Sequence, residues 1–258
     1  MAPQTVIVTG AATGLGYAIA EAFLNTGANV TLNGRTRSKL EDAAQKLNQL
    51  DRSQIVAGDI TDPAFAPKLV AETVAKFGQV DILINNAGIF AVKNFTDYAI
   101  AELDQFLGYA RGTYALTQET VKQMRAQGEG GAIINISTIF AFNGVKAFPS
   151  SAPIMAKAAI TAMVKNLSVE LAADKIRINA VAPGIVLTPL LGEVDTKTLD
   201  YLNQQQPLGR VGTPKDIADA VLYLANASWV TGVILPVDGG VDAGGDGTSN
   251  LKLDTHRR

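Results

Sequence analysis

Cysteine is absent from the 258 residues, and histidine occurs once, at His256. The first absence excludes disulfides, thiolate metal sites and a cysteine nucleophile. The second removes histidine triads and multi-histidine metal sites from the patterned part of the chain, so no metal is expected. Charge is also sparse: 18% of residues are charged and the formal net charge is −2. That balance offers nothing to attract nucleic acid or an anionic membrane surface. No apolar run is long and uninterrupted enough to span a bilayer. The first strand pattern is not preceded by a basic segment followed by an apolar one, so a cytoplasmic protein is expected.

Apolar residues are plentiful, at 47%, and glycine occurs 24 times. This composition suits small-residue helices packed on a sheet, and the length suits one α/β domain. Thr5–Thr9 is an apolar, β-branched run ending at Gly10 and predicts a buried strand. Leu15, Ala18, Ile19, Ala22 and Phe23 follow at helical spacing, stopped by Gly27. Strands are predicted over 28–32, 53–57, 80–84, 131–136, 176–181 and 230–237. Helices are predicted over 39–47 with Thr36 as cap, and over 64–77, 96–125, 157–171 and 216–224. Strands alternating with helices imply an α/β fold: a doubly wound, Rossmann-type parallel sheet with helices on both faces. One domain is expected over residues 1–243. A polar, glycine-rich tail over 244–258 follows, either flexible or docked on a neighbouring subunit.

Thr9-Gly10-Ala11-Ala12-Thr13-Gly14-Leu15-Gly16 joins the first strand to the first helix. Glycines there allow a tight turn and close approach to a pyrophosphate, which the free N–H groups of a helix start then hold. At the end of the second strand the chain reads Asn33-Gly34-Arg35-Thr36-Arg37. A carboxylate there would bond the ribose 2′-hydroxyl of NAD and repel a 2′-phosphate. None is present, and Arg35 and Arg37 can neutralise a phosphate with paired hydrogen bonds, so NADP is expected over NAD.

Several further motifs agree in order and spacing. They are Asp59-Ile60, Asn85-Asn86-Ala87-Gly88, Pro183-Gly184 with Thr188, and Val237-Asp238-Gly239-Gly240. With the glycine loop, they make the chain from Thr5 to Gly240 resemble the short-chain dehydrogenase/reductase family. The resemblance implies that Gly10, Thr13, Gly14, Leu15 and Gly16 hold the cofactor phosphates. Asp59 and Ile60 would then contact adenine. Asn86, Ala87 and Gly88 would form the turn beneath the cofactor, with Pro183, Gly184 and Thr188 at the nicotinamide amide. It also implies hydride transfer on a small carbonyl or alcohol, with proton transfer by a tyrosine. A lysine, a serine and an asparagine support that tyrosine.

Lys157 fills the lysine position, where it would also bind the nicotinamide ribose, and Thr138 corresponds to the serine. The segment from Thr138 to Pro153 is about two residues longer than usual in the family. Four residues before Lys157 stands Pro153, and no tyrosine occurs between Tyr114 and Tyr201. The asparagine position is Tyr109. Proline is tolerated in a first helical turn, and Ser150 or Ser151 can cap it. Pro153 is therefore expected in the first turn of the helix carrying Lys157. The space beyond it is then enlarged, or filled by Tyr109 or Phe148. Tyr109 is either a relocated acid or an aromatic filler.

Three readings follow. The first is an NADP(H)-binding oxidoreductase with a degenerate catalytic site, its acid being Tyr109, Thr138 or a lysine-bound water. The second is a non-catalytic dinucleotide-binding or scaffold protein. The third is a non-redox enzyme using Thr138 and Lys157. Ala156, Ala158, Ala159 and Ala162 give the Lys157 helix a small-residue face for close packing. By resemblance, that helix and the 96–125 helix build dimer interfaces, often within a tetramer, so a homo-oligomer is expected. Leu190–Pro207 is loosely patterned and resembles the family's substrate lid, from which no substrate is legible.

Overall fold

Seven parallel strands form one sheet in the computed structural model, which describes residues 3–144, 148–192 and 194–244. They are β1 (Thr5–Thr9), β2 (Asn29–Gly34), β3 (Ser53–Ala57), β4 (Ile82–Asn85), β5 (Gly131–Ile136), β6 (Ile176–Pro183) and β7 (Ile234–Val237). Their order across the sheet is β3-β2-β1-β4-β5-β6-β7. The chain winds outward from β1 to β3, then crosses back to lay β4 against the other side of β1. This reversal opens a crevice beyond the carboxyl ends of β1 and β4, where α/β folds bind ligands. The doubly wound parallel sheet is thus as expected. The tail, apart from Gly244, lies outside the described residues.

The helices are α1 (Gly14–Asn25), α2 (Arg37–Leu47), α3 (Phe65–Phe77), α4 (Ile100–Gln127), α5 (Ser151–Glu170), α6 (Thr196–Gln204) and α7 (Pro214–Asn226). Strand alternation sorts the core into two layers. Val6, Val8, Val30, Leu32, Ile82 and Ile84 pack with Ile19 and Phe23 of α1, Leu40 of α2 and Val221 of α7. Ile7, Leu83, Ile133 and Ile178 point the other way, against Leu69 of α3, Leu116 and Met124 of α4, and Val164 of α5. Burial on both faces explains why the strands read as continuous apolar runs.

Several boundaries moved for identifiable reasons. α4 begins at Ile100 rather than residue 96, because Phe95–Asp97 forms a separate 3-10 turn. β7 begins at Ile234 rather than residue 230. The carbonyl of Val230 accepts from Arg177 and Asn179 side chains and that of Gly232 from Lys165, so side chains hold the start of this stretch, and backbone bonds to β6 begin only at Gly232 and Val233. α6 escaped the sequence reading. It buries only Leu202 and owes its start to Asp195, whose carboxylate accepts from the Thr198 N–H at 2.7 Å. Thr36 stands at the cap position of α2 without a side-chain cap bond. No helix among the described residues is long and apolar enough to cross a membrane.

Candidate functional site

The crevice is a cavity of about 590 Å³ running from the end of β2 to the start of α5. Its floor begins at the glycine loop. Gly10 and Gly14 have φ of +65° and +57°, a region that costs glycine little. A side chain at Gly10 would come within 2.9 Å of the Asn86 amide and 3.0 Å of Ala87 Cα. The loop is tied down from β4. The Asn86 side chain donates to the Thr9 carbonyl at 2.8 Å and the Gly10 carbonyl at 3.3 Å. Thr9 Oγ1 accepts from the N–H groups of Asn86 and Ala87 and donates to the Ile84 carbonyl. Thr9 is a site residue that the sequence does not mark, and Asn86, which lines the crevice, holds the loop with its side chain.

Gly10, Thr13, Gly14 and Leu15 line the cavity; Gly16 does not. A side chain on Gly16 would run into the Gly10 carbonyl, so its role is to let α1 close onto the turn. α1 carries no acid in its first turn, and Thr13 makes no side-chain cap bond. The helix start therefore faces the cavity with free N–H groups and partial positive charge. A dinucleotide pyrophosphate fits this cradle by charge, by donor supply and by the absence of Cβ atoms.

At the β2 end the wall holds Arg35, Thr36 and Lys39, with Asp59 and Ile60 on the segment after the neighbouring strand β3. Arg37 is outside the cavity, its guanidinium 3.8 Å from Glu41 on the exposed side of α2. The arginine pair expected from sequence is therefore one arginine and one lysine. Helical periodicity from Thr36 could have marked Lys39, three residues on and on the same side. Asp59 Oδ1 accepts from the Thr61 N–H at 2.9 Å, which fixes the carboxylate beside the turn.

At the far end Lys157, Thr138, Ala87, Gly88, Pro183, Gly184 and Thr188 converge. Lys157 lies on α5 and its ammonium donates to the carbonyl of Ile136, the last residue of β5, at 2.6 Å. The ammonium also lies against Gly88, where a Cβ would be 3.5 Å away. The residue is half-buried, but its charged end is shut in, and burial pushes its pKa down to about 8. Thr138 Oγ1 accepts from the Phe140 N–H at 3.3 Å, which leaves its own proton free to donate. Ser137 is occupied elsewhere, 2.9 Å from the Thr161 hydroxyl.

Pro153 is the third residue of α5 and is buried, in the first turn as expected. Ser150 holds the cap position, but its hydroxyl donates to the Phe148 carbonyl instead of capping. The cavity wall nearby is aromatic. Phe148 stacks on Phe140 with ring centroids 5.9 Å apart, and Phe90, Val92, Leu190 and Leu191 continue the apolar surface. Tyr109 also lines the cavity. Among the described residues no cluster of His, Cys, Asp and Glu suits a metal ion.

A family model described as enoyl-(acyl carrier protein) reductase matches residues 10–242. The chain is 36% identical over 245 residues to the 3alpha-hydroxysteroid dehydrogenase of Mediterraneibacter gnavus, covering 92% of this chain and 96% of that protein. It is 34% identical over 245 residues to the L-rhamnose 1-dehydrogenase (NAD(P)(+)) of a Sphingomonas species, with the same coverage. A short-chain type dehydrogenase/reductase from Mycobacterium marinum superposes with a TM-score of 0.88 at 28% identity, over 93% of this chain and 96% of that one. ElxO with NADP bound matches with a TM-score of 0.88 at 29% identity, over 93% and 99%. Relatives named as dehydrogenases and reductases thus span nearly the whole described fold, glycine loop and lysine helix included. The chain belongs to the short-chain dehydrogenase/reductase family.

Proposed function

We propose that this protein is an NADP(H)-dependent oxidoreductase with a degenerate proton-transfer site, acting on an apolar, ring-bearing alcohol or ketone. The carrying observation is the continuity of one cavity from Arg35 and Lys39 to Thr138 and Lys157. Arg35 and Lys39 on the cavity wall, with no carboxylate at the end of β2 itself, suit a 2′-phosphate, and ElxO, a structural relative, is described with NADP bound. When bound, NADP(H) supplies or accepts the hydride. The chain's own part is to place the carbonyl and handle the proton. Thr138 donates its free hydroxyl proton to the carbonyl oxygen. Lys157, with a pKa near 8, holds a transferable proton near neutral pH and delivers it through Thr138 or a water on its ammonium. The stacked Phe140 and Phe148 rings, with Leu190 and Leu191, favour a flat apolar substrate over a polyhydroxylated one. The hydroxysteroid dehydrogenase among the relatives is consistent with this preference.

Without a phenol at position 153, turnover is expected roughly 10²–10⁴-fold below that of a tyrosine-bearing relative. Assay of NADPH oxidation against a panel of cyclic ketones and of sugars tests the reading. Turnover confined to sugars would overturn the substrate class. No turnover with tight NADPH binding would favour the second reading, a dinucleotide-binding protein without catalysis, for which Pro153 is the supporting observation.

A homo-oligomer is part of the same proposal. Ile100, Leu107 and Tyr114 are exposed at heptad spacing along α4, and Met155 and Val169 are exposed on α5, which packs beside it. An apolar stripe across two adjacent helices suits burial against a second copy.

A further inference from the structure

We infer that Tyr109 is an adenosine-end residue: its ring walls the subsite for adenine and the 2′-phosphorylated ribose, and it is not the relocated proton donor. The inference rests on the NADP reading and deepens it. The placement of α4 carries the argument. The turn of α4 around Tyr109 lies on the backbone after β3. A Cβ on Gly112 would collide with the Ile60 carbonyl, and one on Gly108 would sit 3.8 Å from Thr61 Cβ. Arg111 donates to the Thr61 carbonyl at 3.2 Å. Tyr109 is flanked by these residues, packs into the same layer as Ile60, and lines the cavity. Lys157, at the proton-transfer end, is anchored instead on the Ile136 carbonyl at the end of β5, with its ammonium against Gly88.

The electrostatic surroundings agree. Burial raises the phenol's pKa; beyond that, Arg35 lowers it and Asp59 raises it. Both residues line the cavity at its β2 end. A half-buried aromatic ring in the wall that Arg35 and Asp59 share offers a stacking face for a purine, with Arg35 for the phosphate.

Adenosine 2′,5′-bisphosphate is the probe, because it carries the adenosine end and lacks the nicotinamide. Its affinity for the full chain is measured by titration calorimetry beside NADPH, in the wild type and in Tyr109→Leu and Tyr109→Phe. Tyr109→Leu is expected to weaken both ligands by the same factor, about tenfold for one base-on-ring contact. Tyr109→Phe keeps the ring and should retain most of the affinity. In NADPH oxidation, the Leu variant's loss should fall on KM for NADPH rather than on kcat. Bisphosphate affinity that survives in a folded Leu variant overturns the inference. So does a Phe variant that binds the bisphosphate normally and loses kcat, since that is the signature of a proton donor. If the wild type binds ADP but not the bisphosphate, the NADP reading has failed. The same comparison with ADP then decides the role of Tyr109.

Discussion

The ammonium of Lys157 and the carbonyl of Ile136 meet at 2.6 Å, joining α5 to the last residue of β5. The contact holds a buried cation beside Thr138, two residues beyond that carbonyl. Its pKa of about 8 follows from burial, which disfavours the charged form. Carbonyl reduction requires the protonated amine, so kcat/KM in that direction should fall as pH rises through about 8. Alcohol oxidation requires the neutral amine and should rise through the same value. A profile flat across it in both directions would remove Lys157 from proton handling. Stability carries its own sign. Between about 8 and the ordinary value of 10.5 the unfolded chain holds this proton more tightly than the fold does. This group's contribution to stability therefore rises with pH across that window. Lys157→Met should abolish that part of the pH dependence in thermal melts.

Arg35 and Arg37 should separate cleanly on substitution. Arg35 lines the cavity, while Arg37 faces Glu41 outside it. The wild type should bind NADPH more tightly than NADH. Arg35→Ala should weaken NADPH by about 1.5–3 kcal/mol, the worth of a charge-assisted hydrogen bond, and leave NADH nearly untouched. Arg37→Ala should change neither. Titration calorimetry of the three proteins with both nucleotides measures all of these affinities, and equal wild-type affinities would defeat the NADP assignment.

Asn86→Ala removes the side chain that ties the glycine loop to β4 through the carbonyls of Thr9 and Gly10. Leaving such acceptors unpaired costs about 1–3 kcal/mol. Urea unfolding should show that loss, and NADPH affinity should fall with it because the cradle loosens. A variant of normal stability and normal affinity would show that the tie does not position the loop.

Charge on the exposed stripe of α4 and α5 should break the oligomer. Met155→Lys combined with Val169→Lys places two cations on an apolar surface that would otherwise be desolvated. Light scattering should report a smaller particle than the wild type, with circular dichroism unchanged. A wild type that is already monomeric would rule the oligomer out.

Much of this fold is legible in the sequence, because helix and strand periods are local properties. β3 and β5 fall at the residues that alternation and breakers mark, and α3 ends at Gly78, whose φ of +87° suits glycine. α6 is not legible, since a nine-residue helix with one buried side chain leaves almost no apolar period. Within the site, the glycine loop is readable because its chemistry is that of the backbone. Thr9 looks like any strand threonine until β4 is laid beside it, 77 residues away in the chain.

The sequence by itself determined the parallel α/β class, the cradle at the end of the first strand, the lysine on its helix and the proline where a phenol is expected. Each follows from residue type and short-range spacing. Tertiary structure decided which side chains share the crevice. It brought Lys39 in and left Arg37 out, put Tyr109 in the same cavity as Arg35 and Asp59, and set Phe148 on Phe140. Those outcomes depend on how α4 rests on the strand ends and how the α5 entry folds against β5. The packing involved joins residues tens of positions apart, and no local period encodes it.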